Sequence, residues 1–419
     1  MSDAPPFSPL FDGLAQWTLQ QGLHETTVSD LVQGFGRRLV AGGIPVNRIS
    51  IGGMVLHPVF GAFDIVWEAD HDQVAVSRVP RALLTTPEFQ NAPFFHMAAN
   101  GIPYLHKNLE QPVSEDNYPL FERLQATGIT DYFGFFQSYG NTEDLLWADL
   151  PSGMAGVLGA FSTRRTGGFA DLEIEYLKAM SVPLAMAIKA TTTYDLSKVL
   201  LDTYLGKYSG GQVLDGLVER GDGRLIDCVL WYCDLRASTR LADETPLDDY
   251  LAMLNDYFDC TAGAVLEHGG EVLKFIGDAV MAIFPVEDGS RPTPDMCRAA
   301  LMTAKDAIAR AQRLNAVRVA DNLPEIKFGI ALHVGQVMYG NVGTDRRLDF
   351  TVIGPAANEV TRLDDLSKKL GTPVVASAAF NEHSPAELTA LGTHDVQGVS
   401  GGLAAFTPPE LAPSPGFDD

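Results

Sequence analysis

The chain has 419 residues, of which 46% are apolar, and a formal net charge of −23 at pH 7. This length exceeds what one hydrophobic core usually serves, so we expect two domains. The negative charge would repel polyanions, which argues against nucleic acid and anionic membranes as partners. An anionic substrate would therefore need metal ions and local cations.

The composition also bears on the cellular compartment. The N-terminal sequence MSDAPPFSPLF lacks the basic start and long apolar run of a secretory signal, and no segment approaches ~18 uninterrupted apolar residues. We expect a cytoplasmic protein. The cysteines contain no CxxC pair, which predicts buried reduced thiols rather than disulfides or a zinc site: Cys228, Cys233, Cys260 and Cys297.

Residues 1–190 combine helical and extended patterns. Two helical patterns occupy residues 12–42, and the second has apolar residues at helical spacing: Val28, Leu31, Phe35 and Leu39. The later segments RISIGGMVLHP, FDIVWEAD, TDYFGFFQSYG and GMAGVLGAFSTRR are typical of antiparallel strands, with helical TPEFQNAPFFHMAANG and YPLFERLQATG between them. We predict a compact α+β domain.

A long helix and a linker are predicted over residues 171–222. From Asp171 an apolar stripe continues towards Leu205 without a turn signal, and we expect Pro183 to kink this helix. Such a helix suits a signalling rod that pairs with its twin in a dimer. The glycines of KYSGGQVLDG and ERGDGR predict a linker, and the tail at residues 408–419 is predicted to be disordered.

The layout of residues 20–190, closing with GAFSTRRTGGFADLEIEYLKAM, resembles a GAF sensor domain. This resemblance implies a regulatory domain with a small-molecule ligand, whose identity the sequence does not give. No cysteine is present there to anchor a bilin, and the histidines lack ligand-like spacing, so that surface or core positions are expected for them: His24, His57, His71, His96 and His106.

The region after residue 222 begins with a buried-type strand, Cys228 to Cys233, that places Asp234 at its end. By itself an aspartate there is usually a turn or helix cap. Thr245, Pro246 and Asp248 then predict the capped start of a helix that ends at Gly269-Gly270. Four apolar residues form its predicted buried stripe: Leu247, Leu251, Leu254 and Phe258.

The segment EVLKFIGDAVMAIF predicts a hairpin whose turn is Gly277-Asp278. Lys274 and Asp278 interrupt otherwise apolar strands, and buried charges usually pair or bind metal. An ion pair between these two residues is one interpretation. It leaves Asp234 unexplained.

Three motifs, DLRAST, EVLKFIGDAVMAIF and FTVIGPAANEVTRL, are together similar to those of the class III nucleotidyl cyclases, over residues 223–407. The resemblance implies a ferredoxin-like βαββαβ catalytic domain that converts ATP to cyclic AMP and pyrophosphate. It makes Asp234 and Asp278 ligands of two Mg²⁺ or Mn²⁺ ions per active site, with the backbone carbonyl of Leu235. Ser238 and Thr239 would lie beside the substrate phosphates.

The resemblance also implies how the base is chosen. Lys274 matches the family lysine that reads an adenine ring nitrogen, and the hydroxyl of Thr351 can engage the adenine amino group. This combination looks like class IIIb. Guanylate cyclases typically carry an acidic residue in place of the lysine, so ATP is favoured over GTP.

The last motif predicts a helix that starts at Gly354-Pro355 and buries Val360, Leu363, Leu366 and Leu370. Asn358 and Arg362 are four residues apart and share another face. A solvated polar stripe is one interpretation. The resemblance instead implies that Asn358 orients the ribose and Arg362 stabilises charge in the transition state.

In the family the two aspartates of one chain face the other four residues of its partner: Lys274, Thr351, Asn358 and Arg362. The resemblance thus implies a head-to-tail homodimer with two sites, controlled by the N-terminal domain. Guanylate cyclase activity and a nucleotide-binding scaffold without turnover are the alternatives. The chain departs from the family at Gln397, where a basic phosphate-binding residue is usual, for which Lys327 could compensate, and at Pro355, which receives no role.

Overall fold

The computed structural model describes residues 8–24, 26–55, 57–111, 118–140, 156–286, 293–396 and 402–412. The chain divides into two units, Met1–Leu200 and Leu201–Asp419. The division falls within one long helix.

The first unit contains a six-stranded antiparallel sheet with the strand order β3-β2-β1-β6-β5-β4. Its strands are β1 (Arg48–Met54), β2 (Phe60–Glu68), β3 (Gln73–Pro80), β4 (Tyr104–Asn108), β5 (Asp131–Ser138) and β6 (Gly156–Thr163). The helices are α1 (Ser8–Gln21), α2 (Val28–Ala41), α3 (Pro87–Gln90), α4 (Pro93–Ala99) and α5 (Pro119–Ala126). This confirms the predicted α+β class. The two outermost strands, β3 and β4, were not predicted, because neither buries an apolar face that alternates along the strand.

The two faces of this sheet pack differently. Ile49 and Ile51 of β1 belong to the core formed with α2, whose predicted apolar stripe is confirmed as buried. Because side chains alternate along a strand, Arg48 and Ser50 lie on the opposite face. Thr27 caps α2 by accepting a hydrogen bond from the Asp30 backbone N–H at 3.1 Å.

The predicted long helix is confirmed as α6 (Asp171–Leu205), a helix of 35 residues that contains Pro183. Its buried positions run from Ile174 to Thr191, and no later residue of the helix is buried. Only its first part therefore packs into the core of the first unit.

Two predictions about irregular segments were wrong. Lys207–Leu214, predicted as a linker, forms helix α7, because Tyr208 and Val213 pack on the core of the second unit and this packing outweighs the low helix propensity of the glycines. Residues 408–412 of the predicted disordered tail are held in place: the Leu411 carbonyl accepts a hydrogen bond from the Thr372 hydroxyl at 3.1 Å. Residues 413–419 lie outside the described residues.

The second unit contains an eight-stranded sheet with the order β13-β14-β12-β10-β7-β9-β8, and β11 pairs with β10. The strands are β7 (Gly223–Leu235), β8 (Glu271–Ile276), β9 (Ala279–Pro285), β10 (Phe328–Thr344), β11 (Arg347–Ile353), β12 (Val374–Ser377), β13 (Thr389–His394) and β14 (Leu403–Thr407). The helices are α8 (Ser238–Glu244), α9 (Leu247–Glu267), α10 (Thr293–Ala320), α11 (Pro355–Leu370) and α12 (Ala378–His383).

The predicted ferredoxin-like βαββαβ pattern is confirmed by the order β7-α9-β8-β9-α10-β10 along the chain. These four strands lie side by side as β10-β7-β9-β8, and all neighbours are antiparallel. The central strand β7 is buried on both faces: Trp231 and Cys233 belong to one core cluster, while Cys228 and Leu230 belong to the other.

Helix α9 packs only half of the predicted stripe against the core, through the partly buried Leu254 and Phe258. Leu247 is 85% exposed and Leu251 is 58% exposed, whereas Met253 and Tyr257 are buried. The helix is rotated by about one residue from the prediction, because Tyr257 packs against β7. The predicted capping box is also absent, since Pro246 is the N-cap and no side chain caps the helix.

The four cysteines are buried and free, as predicted. Among the residues that the structure describes, no helix is long and apolar enough to cross a membrane.

Candidate active site

Asp234 and Asp278 lie on neighbouring strands at one end of the sheet. Asp234 is the second-last residue of β7 and pairs with Ala279, the first residue of β9. Asp278 immediately precedes Ala279 in the predicted two-residue turn, where Gly277 has a φ of +64° that favours glycine. Since neighbouring strands are about 4.8 Å apart, the backbones of Asp234 and Asp278 lie close together.

The pKa of Tyr257 is affected by both aspartates. Burial is the main reason that the pKa of its hydroxyl is raised, and the negative charges of Asp234 and Asp278 both add to the effect. The fold therefore concentrates negative charge at this end of β7.

Lys368 of α11 is a cation at this site that the sequence did not reveal. Its Nζ lies 2.6 Å from Oδ2 of Asp234 and 3.1 Å from Oδ2 of Asp364. Burial lowers the pKa of Lys368, but the bond to Asp234 and the charge of Asp364 outweigh it, so the pKa is raised. Lys368 therefore stays charged and partly neutralises Asp234.

Arg236 and Asp364 form a buried ion pair behind this lysine. Nη2 of Arg236 lies 3.1 Å from Oδ1 of Asp364 and donates to the Ser367 hydroxyl at 2.7 Å. Burial raises the pKa of the Asp364 carboxyl, and the charges of Arg236 and Lys368 offset part of the rise. A Cβ at Gly329 would lie 1.6 Å from Arg236 Nη2, so only glycine lets this side chain cross β10.

The other residues predicted near the metals and phosphates surround the end of β7. Leu235 is buried as the last residue of the strand. Ser238 and Thr239 open α8, so their backbone N–H groups lack intrahelical acceptors. Ala237, just before them, has a left-handed φ of +57°, which is uncommon for alanine.

Lys274 pairs with Asp349 of β11, not with Asp278. Asp349 and Thr351 are two residues apart on one strand and therefore share a face. The structure thus brings Lys274 beside the strand that carries Thr351. Asp349 was missed by sequence reasoning, although a carboxylate two residues before Thr351 in an alternating strand is a signal that could have identified it.

Asn358 and Arg362 lie on α11, which begins at Pro355 as predicted. Val360, Leu363 and Leu366 are buried, as predicted. Within the described part of the chain, the side chains of Asn358 and Arg362 form no hydrogen bond or ion pair with other residues.

The direction of Arg362 follows from its helix. Arg362 and Lys368 are six residues apart and so lie about 120° apart around α11. Since Lys368 contacts Asp234, the side chain of Arg362 leaves α11 in a different direction from the one that reaches Asp234. The chain brings the two aspartates together but does not bring Arg362 to them.

Lys327 and Gln397 are the remaining residues that the sequence suggested in connection with phosphate binding. Lys327 is exposed and its Nζ lies 2.8 Å from Oε2 of Glu325. Gln397 lies outside the described residues.

The chemistry of the carboxylate pair fits a hard divalent cation. Carboxylate oxygens are preferred ligands of Mg²⁺ and Mn²⁺, and Mg²⁺ is commonly held by one or two carboxylates together with substrate phosphates and water. Among the described residues, no group of three or more His, Cys, Asp or Glu side chains is arranged to hold a metal ion. Asp234 and Asp278 would therefore need backbone, water or phosphate oxygens to complete the coordination.

Residues 224–406 match the model of the adenylate and guanylate cyclase catalytic domain. These residues all lie in the second unit. The match covers less than half of the chain.

Similar proteins include adenylate cyclases. Adenylate cyclase 1 of Rhizobium meliloti is 33% identical over 150 residues, which are 35% of this chain and 22% of that protein. Adenylate cyclase of Anabaena cylindrica is 32% identical over 158 residues, which are 38% of this chain and 31% of that protein. The cyclase region thus corresponds to less than a third of either relative.

Solved structures give weaker similarity. A bacterial light-regulated adenylyl cyclase is 25% identical and covers 58% of this chain and 67% of its own, with a TM-score of 0.46. The adenylyl cyclase CyaB from P. aeruginosa is 23% identical and covers 44% of this chain and 94% of its own, with a TM-score of 0.40.

Proposed function

We propose that this chain is an adenylate cyclase that converts ATP to 3′,5′-cyclic AMP and pyrophosphate at composite sites of a homodimer. The observation that carries the proposal is the placement of Asp234 and Asp278 on neighbouring strands within the cyclase catalytic domain. A pair of carboxylates at the open end of a sheet suits divalent cations that accompany a nucleoside triphosphate.

Asp234 and Asp278 would hold two Mg²⁺ or Mn²⁺ ions, with the Leu235 carbonyl as a further ligand. Bound cations of this kind lower the pKa of the ribose 3′-hydroxyl and neutralise the phosphates. Lys368 and Arg236 hold their positions through ion pairs, so they limit the repulsion between the acidic groups and a polyanionic substrate. Ser238 and Thr239 would offer backbone N–H groups to the phosphates.

A second copy of the chain is proposed because one copy presents the two halves of the site in different directions. Arg362 lies about 120° around α11 from Lys368, which contacts Asp234, and the side chains of Arg362 and Asn358 have no partner among the described residues. In a head-to-tail pair each copy would supply these side chains to the aspartates of its mate, where Arg362 would stabilise charge on the α-phosphate and Asn358 would orient the ribose.

The exposed surface beside Asp278 supports this pairing. Leu247 and Leu251 of α9 and Phe275 and Ile276 of β8 are exposed. The ring of Phe275 contacts that of Phe258 of α9 in a tilted arrangement, with centroids 4.4 Å apart. Large apolar side chains grouped beside a charged site are typical of interfaces. A second copy would cover them.

A mixing experiment tests the composite site. Asp278→Asn and Arg362→Ala should each be inactive, because each lacks one half of every site. After subunit exchange in an equimolar mixture, half of the dimers would be heterodimers with one intact site, so about a quarter of wild-type cyclic AMP formation should return. If the mixture stays inactive while co-purification of differently tagged variants shows exchanged dimers, the composite site is wrong.

ATP is the proposed substrate because Lys274 can donate to an adenine ring nitrogen at a position where guanine carries a proton. Thr351 would engage the amino group, and Asp349 holds Lys274 beside its strand. Lys274→Glu should lower the ratio of kcat/KM for ATP to that for GTP by about tenfold or more. Lys305→Glu changes a lysine that pairs with Glu410 and serves as the matched control.

Two alternatives stay open to these measurements. Wild-type protein that prefers GTP would make the chain a guanylate cyclase. Protein that binds nucleotide but turns over neither ATP nor GTP with Mg²⁺ or Mn²⁺ would make it a scaffold.

We further propose that the first unit, as a sensor, controls the cyclase through α6. This helix begins in the core of the first unit and continues without interruption into the second. Deletion of residues 1–190 should therefore change the rate of cyclic AMP formation. A truncated dimer with unchanged activity would contradict control by the first unit.

A further inference from the structure

The first unit contains a cavity of about 240 Å³ on the sheet face opposite α2, which we call the sheet cavity. Its walls are mainly apolar and include Phe94, Pro93 and Leu158, and its polar lining includes Arg48, Asp64 and Tyr132. Mainly apolar walls with a few polar groups are typical of sites for small organic molecules.

A row of polar side chains crosses the sheet beneath this cavity. Arg48 of β1 pairs with Ser162 of β6, and Ser162 pairs with Tyr132 of β5, so the three side chains share one face. The hydroxyls of Tyr132 and Ser162 are buried and have no hydrogen-bond partner among the residues that the structure describes. Buried polar groups are normally paired, so the chain leaves two donors available at this row.

The tyrosine hydroxyl is a neutral donor. Burial is the main reason that the pKa of Tyr132 is raised, so the hydroxyl keeps its proton at any physiological pH. Because Tyr132 is completely buried and lines the cavity, its natural acceptor is a molecule inside the cavity.

Arg48 supplies a positive charge to the same space. Within the described residues its guanidinium forms no hydrogen bond or ion pair, and burial lowers its pKa although Asp64 and Glu68 act in the opposite direction. Asp64, which lines the same cavity, accepts a hydrogen bond from Ser50 at 2.9 Å, and burial raises the pKa of its carboxyl. A partly buried guanidinium without a bonded partner favours a carboxylate, which it can bind through two parallel hydrogen bonds.

The volume limits the rest of the ligand. An engineered apolar cavity of about 150 Å³ accepts benzene, so the sheet cavity has room for one ring and a short polar substituent. Phe94 and Leu158 offer that ring an apolar contact surface.

We propose that the sheet cavity binds a small monocyclic aromatic carboxylate, with the ring against the apolar wall and the carboxylate on Arg48 and the Tyr132 hydroxyl. The site lies wholly within the first unit and does not depend on the function proposed for the second.

The test is calorimetric titration of the full chain with benzoate, 4-hydroxybenzoate and phenylacetate. At least one of these acids should bind with one-to-one stoichiometry, and its neutral amide should bind at least about tenfold more weakly because it lacks the charge for Arg48. If none of the acids binds at a Kd of about 10 mM or tighter, or the amide binds equally well, the proposal is overturned.

Variants assign the site. Arg48→Gln should weaken binding about tenfold or more, and Tyr132→Phe should weaken it about fivefold by removing one hydrogen bond. Tyr104→Phe removes a hydroxyl from the same sheet outside the cavity and should leave the affinity unchanged. Unchanged affinity in both cavity variants would place the ligand elsewhere.

A second readout separates binding from folding. Without ligand, Tyr132→Phe should melt at the same temperature as wild type or higher, because it removes an unpaired buried hydroxyl. A lower melting temperature together with unchanged ligand affinity would show that the hydroxyl serves the fold, and would overturn the assignment.

Discussion

The sheet cavity of the first unit and the aspartate site of the second differ in whether the chain supplies partners for their polar groups. At the aspartate site, Asp234, Lys368, Asp364 and Arg236 form a continuous chain of ion pairs. At and beneath the sheet cavity, the hydroxyls of Tyr132 and Ser162 have no hydrogen-bond partner in the described part of the chain. Removal of one member of these ion pairs should therefore leave an unpaired charge, whereas removal of the Tyr132 or Ser162 hydroxyl should leave no unpaired partner.

The largest effect is expected at Asp278. Asp278→Ala should lower cyclic AMP formation with Mn²⁺ by about 10³-fold or more, because it removes one of two proposed metal carboxylates. Asp321→Ala changes an exposed aspartate after α10 and serves as the control. If Asp278→Ala keeps activity within tenfold of wild type, Asp278 is not a metal carboxylate that the reaction requires.

The next effect concerns stability. Arg236→Met should lower the free energy of unfolding by about 3 kcal/mol or more, since it leaves the Asp364 carboxylate, of which 2% is exposed, without its guanidinium. Arg298→Met breaks an exposed pair with Asp295 and should change stability by less than about 1 kcal/mol. Urea denaturation measures the free energy of unfolding of both variants. Equal losses would contradict the prediction that the buried ion pair matters more than the exposed one.

Glu271 extends the comparison to a buried carboxylate that forms no ion pair with any described residue. Burial raises its pKa from the ordinary 4.5 to about 7, although it accepts a hydrogen bond from the backbone N–H of Tyr208 at 2.9 Å. Between these pH values the folded chain binds a proton that the unfolded chain has released. Stability from this group is therefore greatest at low pH and is lost as the pH rises through 7.

Measurement of the unfolding free energy at pH 5 and at pH 8 checks the direction of this pH dependence. The loss of unfolding free energy between the two should be smaller in Glu271→Gln than in wild type by roughly 2 kcal/mol. Glu387→Gln, at an exposed position, should behave as wild type. If the unfolding free energy of wild type and of Glu271→Gln changes by the same amount between pH 5 and pH 8, the assignment to Glu271 is refuted.

The smallest effect is expected at Ser162. Ser162→Ala should leave the free energy of unfolding unchanged or raise it by up to about 1 kcal/mol, because its buried hydroxyl has no partner to lose. Ser50→Ala, in a neighbouring strand, removes the hydroxyl that donates to Asp64 and should lower stability by about 1 kcal/mol. If thermal unfolding shows Ser162→Ala to be less stable than Ser50→Ala, the proposed difference between paired and unpaired hydroxyls is wrong.

Local signals in the sequence predicted much of the fold. The Gly277-Asp278 turn, the stripe of α2 and the start of α11 at Gly354-Pro355 were predicted from residues within a few positions of each other. Each depends on backbone preferences or periodicity that act within one element. The aspartate pair was also indicated, because both residues lie at strand ends.

Contacts between distant residues were not predicted. Lys274 and Asp349 are 75 residues apart, and Asp234 and Lys368 are 134 apart, so no local pattern joins them. For the same reason the buried face of α9 was predicted wrongly: its sequence offers two apolar stripes, and packing of Tyr257 against β7 selects one.

The sequence by itself therefore determined the elements, the strand-end aspartates and the family resemblance, because each is encoded by neighbouring residues. Only the tertiary structure decided the partners of Lys274 and Lys368, the direction of Arg362 and the existence of the sheet cavity. Partners, directions and cavities depend on how separate elements pack, and packing is a property of the whole folded unit.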